Sequence, residues 1–87
     1  MDDFEVYSNS DIAKVIDEYI HSERDRMILK MNLIDGRTYQ EISDHLISLD
    51  MDNRTKGLFT KYGLSPKQVG RVIIKQEKIV FKRLQKW

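Results

Sequence analysis

The chain contains no cysteine, which excludes disulfide staples, thiolate nucleophiles and cysteine-bound zinc. With one proline and four glycines it offers few points at which a helix must break. No apolar stretch approaches the ~20 residues of a membrane helix. The acidic opening MDDFEVYSNS has no apolar core of the kind a signal peptide carries. A soluble, cytoplasmic protein with no membrane partner is expected. Catalytic motifs are lacking too: there is no nucleophile elbow, no glycine-rich phosphate loop and no HExxH. His21 and His45 lack partners at metal-ligand spacing. Asp50, Asp52 and Asn53 lack the glycine and terminal glutamate of a calcium loop. A binding role is therefore expected rather than an enzymatic one, with no metal and no cofactor.

What is present is an ordinary globular balance. Of 87 residues, 40% are hydrophobic and 33% charged, consistent with one domain spanning 1–87 and a flexible lead over 1–9. The formal net charge of +1 hides an asymmetry. Residues 1–43 hold five basic groups against ten acidic, or −5; residues 44–87 hold ten against four, or +6. Beyond Asp52 the only acid is Glu77. Such polarity fits either nucleic-acid binding or a solvated lysine-rich terminal helix.

Apolar residues recur three and four apart, which predicts helices throughout. A first helix is expected from Ser10, with Ile12, Val15, Ile16, Tyr19 and Ile20 as its stripe. A second is expected from Ser22 to Ile34, Ser22 and Asp25 imitating a capping box and Asp35-Gly36 ending it. A third starts at Thr38, whose Thr38/Glu41 pair forms a true capping box; its inner face is read as Ile42, His45, Leu46 and Leu49. Residues 50–53 read as a polar turn, 54–62 as a short helix weakened by Gly57, and Gly63 as a C-terminal glycine. The last helix is capped by Ser65, holds Pro66 in its first turn and carries Val69, Val72, Ile73, Gln76, Val80 and Leu84 inward.

Two segments carry a family pattern. RDRMILKMNLIDGRTYQEISDHL joins an arginine-led helix ending in Asp35-Gly36 to Thr38-Tyr39-Gln40-Glu41-Ile42. GLSPKQVGRVIIKQEKIVFKRL opens with Gly63-Leu64-Ser65 and has Val69 at the fifth position of its helix. Together they resemble the fourth conserved region of bacterial sigma factors and related helix-turn-helix regulators of phages and mobile elements. The resemblance implies an all-α bundle of four to five helices containing a helix-turn-helix. It departs from the family in residues 47–62, an added segment between the positioning and recognition helices that either lengthens the former or forms an extra helix.

The implied function is a transcriptional regulator that binds double-stranded DNA with its C-terminal helix in the major groove, with RNA polymerase as a further contact. No segment resembles the part of a sigma factor that reads the −10 element, so a module rather than a whole sigma factor is expected. Lys67, Gln68, Arg71 and Lys75 share a face, and glutamine and arginine pair well with adenine and guanine edges. Free amides at Ser65 suit a phosphate. The resemblance adds Thr38 and Tyr39 as phosphate contacts, and Arg37, Arg54, Lys56 and Lys61 can neutralise phosphates non-specifically. Tyr39 reads first as a packing residue, and Gly70 as a site of close approach either to a duplex or to another helix. A second reading is a protein-interaction module, homodimeric or partner-bound, that uses Ile74, Ile79, Phe81 and Trp87.

Overall fold

A computed structural model of the chain describes residues 6–58 and 61–86. They form an all-α fold: α1 (Asn9–Tyr19), α2 (Glu23–Leu29) with a π-helical extension (Lys30–Ile34), α3 (Tyr39–Thr55) and α4 (Pro66–Leu84). Each of these α-helices starts where a side chain accepts an otherwise unpaired amide. Ser22 accepts from the Asp25 amide, Thr38 from Glu41 and Ser65 from Gln68. The first helix begins earlier than expected. Ser8, not Ser10, is its cap, and the Asp11 amide donates to Ser8 Oγ at 3.1 Å. Tyr7 explains the shift: it packs beside Ile12 on the core, a hydrophobic staple that fixes the entry of the chain. The flexible lead expected over 1–9 includes residues that the fold engages. Tyr7 and Ser8 are engaged, and 1–5 lie outside the described residues.

The core is two clusters. The first joins Ile12, Val15, Ile16 and Ile20 of α1 and its end to Leu29, Val80 and Leu84. The second joins Ile28 and Met31 to Ile42 and Leu46 of α3 and to Val69 and Ile73. The last helix therefore serves both, with its first half on one and its second half on the other. Burying four such aliphatic side chains stabilises the fold by about 1.5–3 kcal/mol each. Between the halves lies a polar link: Gln76 Nε2 donates to Asp25 Oδ2 at 3.0 Å, while Arg24 holds Oδ1. Asp25 is buried. Its carboxylate faces Gln76 instead of turning back to the Ser22 amide, so the expected box at α2 is half formed.

The end of the second helix widens into the π-helical extension. A wider coil turns less per residue, which keeps Leu33 and Ile34 on the side of Leu29, and both pack against the first cluster. Gly36, at φ +69, then turns the chain toward α3, and the Arg37 amide donates back to the Met31 carbonyl. Arg26 closes the end of α1 by donating to the Ile20 and His21 carbonyls, both at 2.8 Å.

Residues 47–62 differ most from expectation. The polar stretch 50–53 is helical, because α3 runs on through Thr55 and stops only at Gly57, φ +72. The short helix expected over 54–62 is not seen among its described residues: 54–55 are the end of α3 and 56–58 and 61–62 are not helical, while Phe59 and Thr60 lie outside the described residues. The chain from Ile47 thus continues α3 to Thr55, and its later described residues return along it. Asp50 pins the return, accepting from the amides of Tyr62 (2.9 Å) and Gly63 (2.6 Å). Ser43 Oγ donates to the Leu64 carbonyl at 2.6 Å. Gly63 ends no helix; it is there for space, since a Cβ at 63 would stand 2.8 Å from Asp50 Oδ2. His45, expected inside, is exposed.

Asp50→Ala and Gly63→Ala should each destabilise the fold by about 1–3 kcal/mol, because both break the same carboxylate–amide contact. The double mutant should cost clearly less than the sum. Urea midpoints of the four proteins in this cycle measure it, and strict additivity would refute the clamp.

Candidate nucleic-acid interface

The side of α4 that faces away from Val69, Ile73, Val80 and Leu84 is cationic. Lys67, Arg71, Lys75, Lys78 and Lys82 recur at three- and four-residue steps and all are exposed. At 1.5 Å per residue the row is about 22 Å long. No ion pair joins any of them to an acid among the described residues. Lys78 and Lys82 continue the row beyond the four residues singled out from the sequence, at the same spacing. Arg83 is turned elsewhere, its guanidinium 4.5 Å from the centre of the Tyr19 ring. The acidic side of α1, with Asp17 and Glu18 exposed, lies behind, because α1 seals against the opposite face of α4.

The N-terminus of α3 meets this row through one contact. The Tyr39 ring lies on Gly70, so that a Cβ at 70 would come within 2.8 Å of Tyr39 Cε2. Gly70 is buried by this approach, which resolves its two readings in favour of helix–helix packing. Tyr39 nonetheless stays 40% exposed, with one edge in solvent. Gly70 is flanked on the helix surface by Lys67 and Ile74. Arg37 and Thr38, both exposed, are thereby brought to the same end of the molecule as the start of the cationic row.

Two assigned residues carry a prior commitment. Gln68 is exposed, but its Oε1 accepts from the Ser65 amide at 2.9 Å while Ser65 Oγ accepts from the Gln68 amide. This is a complete capping box that the sequence reading did not include. Pro66 brings no amide, and the amides of Ser65, Gln68 and Val69 are already bonded. The free amides expected at Ser65 for a phosphate are therefore largely taken. Leu64 packs against the second cluster beside Val69, the staple that completes this helix start.

At α3 the expected box is formed. Thr38 Oγ1 accepts from the Glu41 amide at 3.2 Å, and Glu41 Oε1 accepts from the Thr38 amide at 3.0 Å. The Thr38 backbone and side-chain hydrogen bonds, with a smaller contribution from the Arg37 charge, hold the Glu41 carboxyl below its ordinary value of 4.5. Glu41 is a cap, and the Thr38 hydroxyl is committed to it.

Of the apolar residues considered for a partner surface, Ile74 and Ile79 are exposed. Phe81 is not; it is half-buried, packs on the first cluster and meets Tyr7 edge-on at 6.5 Å. Trp87 lies outside the described residues. The lengthened α3 and its turn add Ile47, Met51 and Leu58, which sequence periodicity alone did not mark as exposed. Among the described residues no His, Asp and Glu cluster could hold a metal ion, and no helix is long and apolar enough to cross a membrane. No family model, no curated protein and no solved structure matches the chain.

Two measurements check these contacts. The Gly70 α-protons should be shifted upfield by the Tyr39 ring, and Tyr39→Ala should return them to ordinary glycine positions; an unmoved Gly70 signal would place the ring elsewhere. In a pH titration the Thr38 amide proton should report the Glu41 carboxyl. Because the folded pKa is depressed, the cap is fully present above the ordinary value of 4.5 and fades as pH falls through the lower folded value. A midpoint at or above 4.5 would remove the box.

Proposed function

We propose that this chain is a DNA-binding transcriptional regulator of the helix-turn-helix kind, resembling sigma region four. In this reading α3 is the positioning helix and α4 the recognition helix, which enters the major groove by its N-terminal turns. The observation that carries it is the acid-free row Lys67, Arg71, Lys75, Lys78, Lys82, exposed opposite the apolar seam of α4. A groove flanked by phosphates is the complementary surface for such a row. The division of labour follows from distance. The major groove is roughly 12 Å wide, and Lys78 and Lys82 lie about 15 and 21 Å along the axis from Gln68. They therefore meet backbone phosphates, while Arg71 and Lys75 stand at base edges. Arg37, Thr38 and Tyr39 address the phosphates beside the entry point, with the Arg37 guanidinium and the Tyr39 hydroxyl as donors. No catalytic step is assigned to the chain. Its place is the cytoplasm, and RNA polymerase is a further partner that the sigma-like pattern suggests.

A second reading is a protein-interaction module, favoured by Ile47, Met51 and Leu58 on the lengthened α3 and its turn. The two differ in their response to salt. Duplex affinity falls with log[salt] at a slope of about −0.9 per phosphate neutralised, whereas an apolar interface barely responds.

Arg71→Ala and Lys75→Ala should each weaken duplex binding by about 1–3 kcal/mol without unfolding the domain. Lys78→Ala combined with Lys82→Ala should weaken all sequences alike and flatten the salt slope by about 2. Retention on random-sequence duplex pools across a salt titration, followed by sequencing, measures all of these. Unchanged binding at low salt in the Arg71 and Lys75 variants would remove the assignment of α4.

A further inference from the structure

Ile74 is 54% exposed. A lone exposed isoleucine is ordinary; its setting is not. It lies one turn after Arg71 and one turn before Lys78, within the cationic row, with Lys75 beside it. A second copy of the chain docking face to face here would press lysines against lysines. Like charges brought together cost free energy, so self-association is disfavoured on this face. The surface asks instead for a partner that is strongly anionic and yet offers a small apolar group among its polar edges. The DNA major groove has one such group, the 5-methyl of thymine.

The axial position agrees. Ile74 lies about 10 Å from Lys67 and 4.5 Å from Arg71 along the helix, inside the roughly 12 Å width of the groove. We propose that Ile74 is a specificity-determining residue that contacts a thymine methyl beside the base edge met by Arg71. This rests on the reading of α4 as a recognition helix. It adds to that reading a base identity and a residue that no charge or hydrogen-bond pattern would select.

Deoxyuridine isolates the contact, because it keeps every hydrogen-bonding group of thymidine and lacks only the methyl. A duplex selected by the unmodified chain is prepared twice, once with thymine and once with uracil at every such position. Affinities are measured for the chain and for Ile74→Ala, which alters an exposed site and leaves the core intact. The unmodified chain should bind the uracil duplex about fourfold more weakly, the value of one methyl removed from apolar contact. Ile74→Ala should bind the thymine duplex more weakly and discriminate little between the two. Equal affinity of the unmodified chain for both duplexes overturns the proposal, as does a variant that keeps the full thymine preference. If Ile74→Ala instead weakens self-association in sedimentation and leaves the thymine preference intact, the residue belongs to a subunit contact. Failure of the unmodified chain to hold any duplex at low salt overturns the recognition helix itself, and this inference with it, and is distinct from the other results.

Discussion

Both hydrophobic clusters close against a single side of α4, and that constraint organises the rest of the molecule. Val69 and Ile73 meet α2 and α3, and Val80 and Leu84 meet α1 and Leu29. Helices α1 and α3 therefore pack at opposite ends of one helix. Gln76 lies between the two apolar stretches, and Asp25 is buried opposite it. A carboxylate there would be costly without partners, and Gln76 and Arg24 supply them. The pair fixes the register of α2 along α4, because sliding by one turn would strand the carboxylate among Ile28, Ile73 and Val80.

A helix held along one side leaves the other side to solvent, and here that side carries the cations. The angle at which it is presented depends on α3, which packs on α4 through Ile42, Leu46 and Tyr39. The Tyr39 ring seated on Gly70 sets how closely the two helices cross. Ser43 and Asp50 then fix the chain just before Ser65, and with it the start of α4. The length of α3 thus does not loosen the junction. The return loop is bonded back to the helix it left, so the entropy lost in closing it is offset locally.

The parts legible in the sequence are those governed by short-range rules. Thr38 with Glu41, Ser65 with Pro66, Gly36, and the Val69–Ile73–Val80–Leu84 seam could all be read from neighbours within four residues. What could not be read depends on distant partners. The stretch 50–53 looks like a turn because it is polar, yet Asp50 faces inward to two amides twelve and thirteen residues on. His45 sits at a helical spacing that suggests burial, but α3 buries only a narrow strip, Ile42, Ser43 and Leu46. Gly70 was open to two readings until the partner, Tyr39, was placed. The cationic row is partly legible: Lys67, Gln68, Arg71 and Lys75 fall in the first turns after the Ser65 cap, while Lys78 and Lys82 join the row only once the apolar side of α4 is fixed by its partners.

If α4 is the recognition helix proposed above, the capping box at Ser65 limits where its base contacts begin. Gln68 has one carboxamide and two uses for it. To pair with adenine bidentately it needs both Oε1 and Nε2, and Oε1 already accepts from the Ser65 amide. Releasing it costs about 0.5–2 kcal/mol of helix capping, a sum that the base contact must first offset. Arg71 and Lys75, with no ion pair among the described residues, carry no such cost. The first turn of α4 is thus engaged in holding its own start rigid, and in the proposed recognition helix discrimination would fall one turn along, to Arg71, Ile74 and Lys75. Rigidity at the entry point and selectivity one turn further on are compatible demands on one helix, since the first fixes the direction in which the second points.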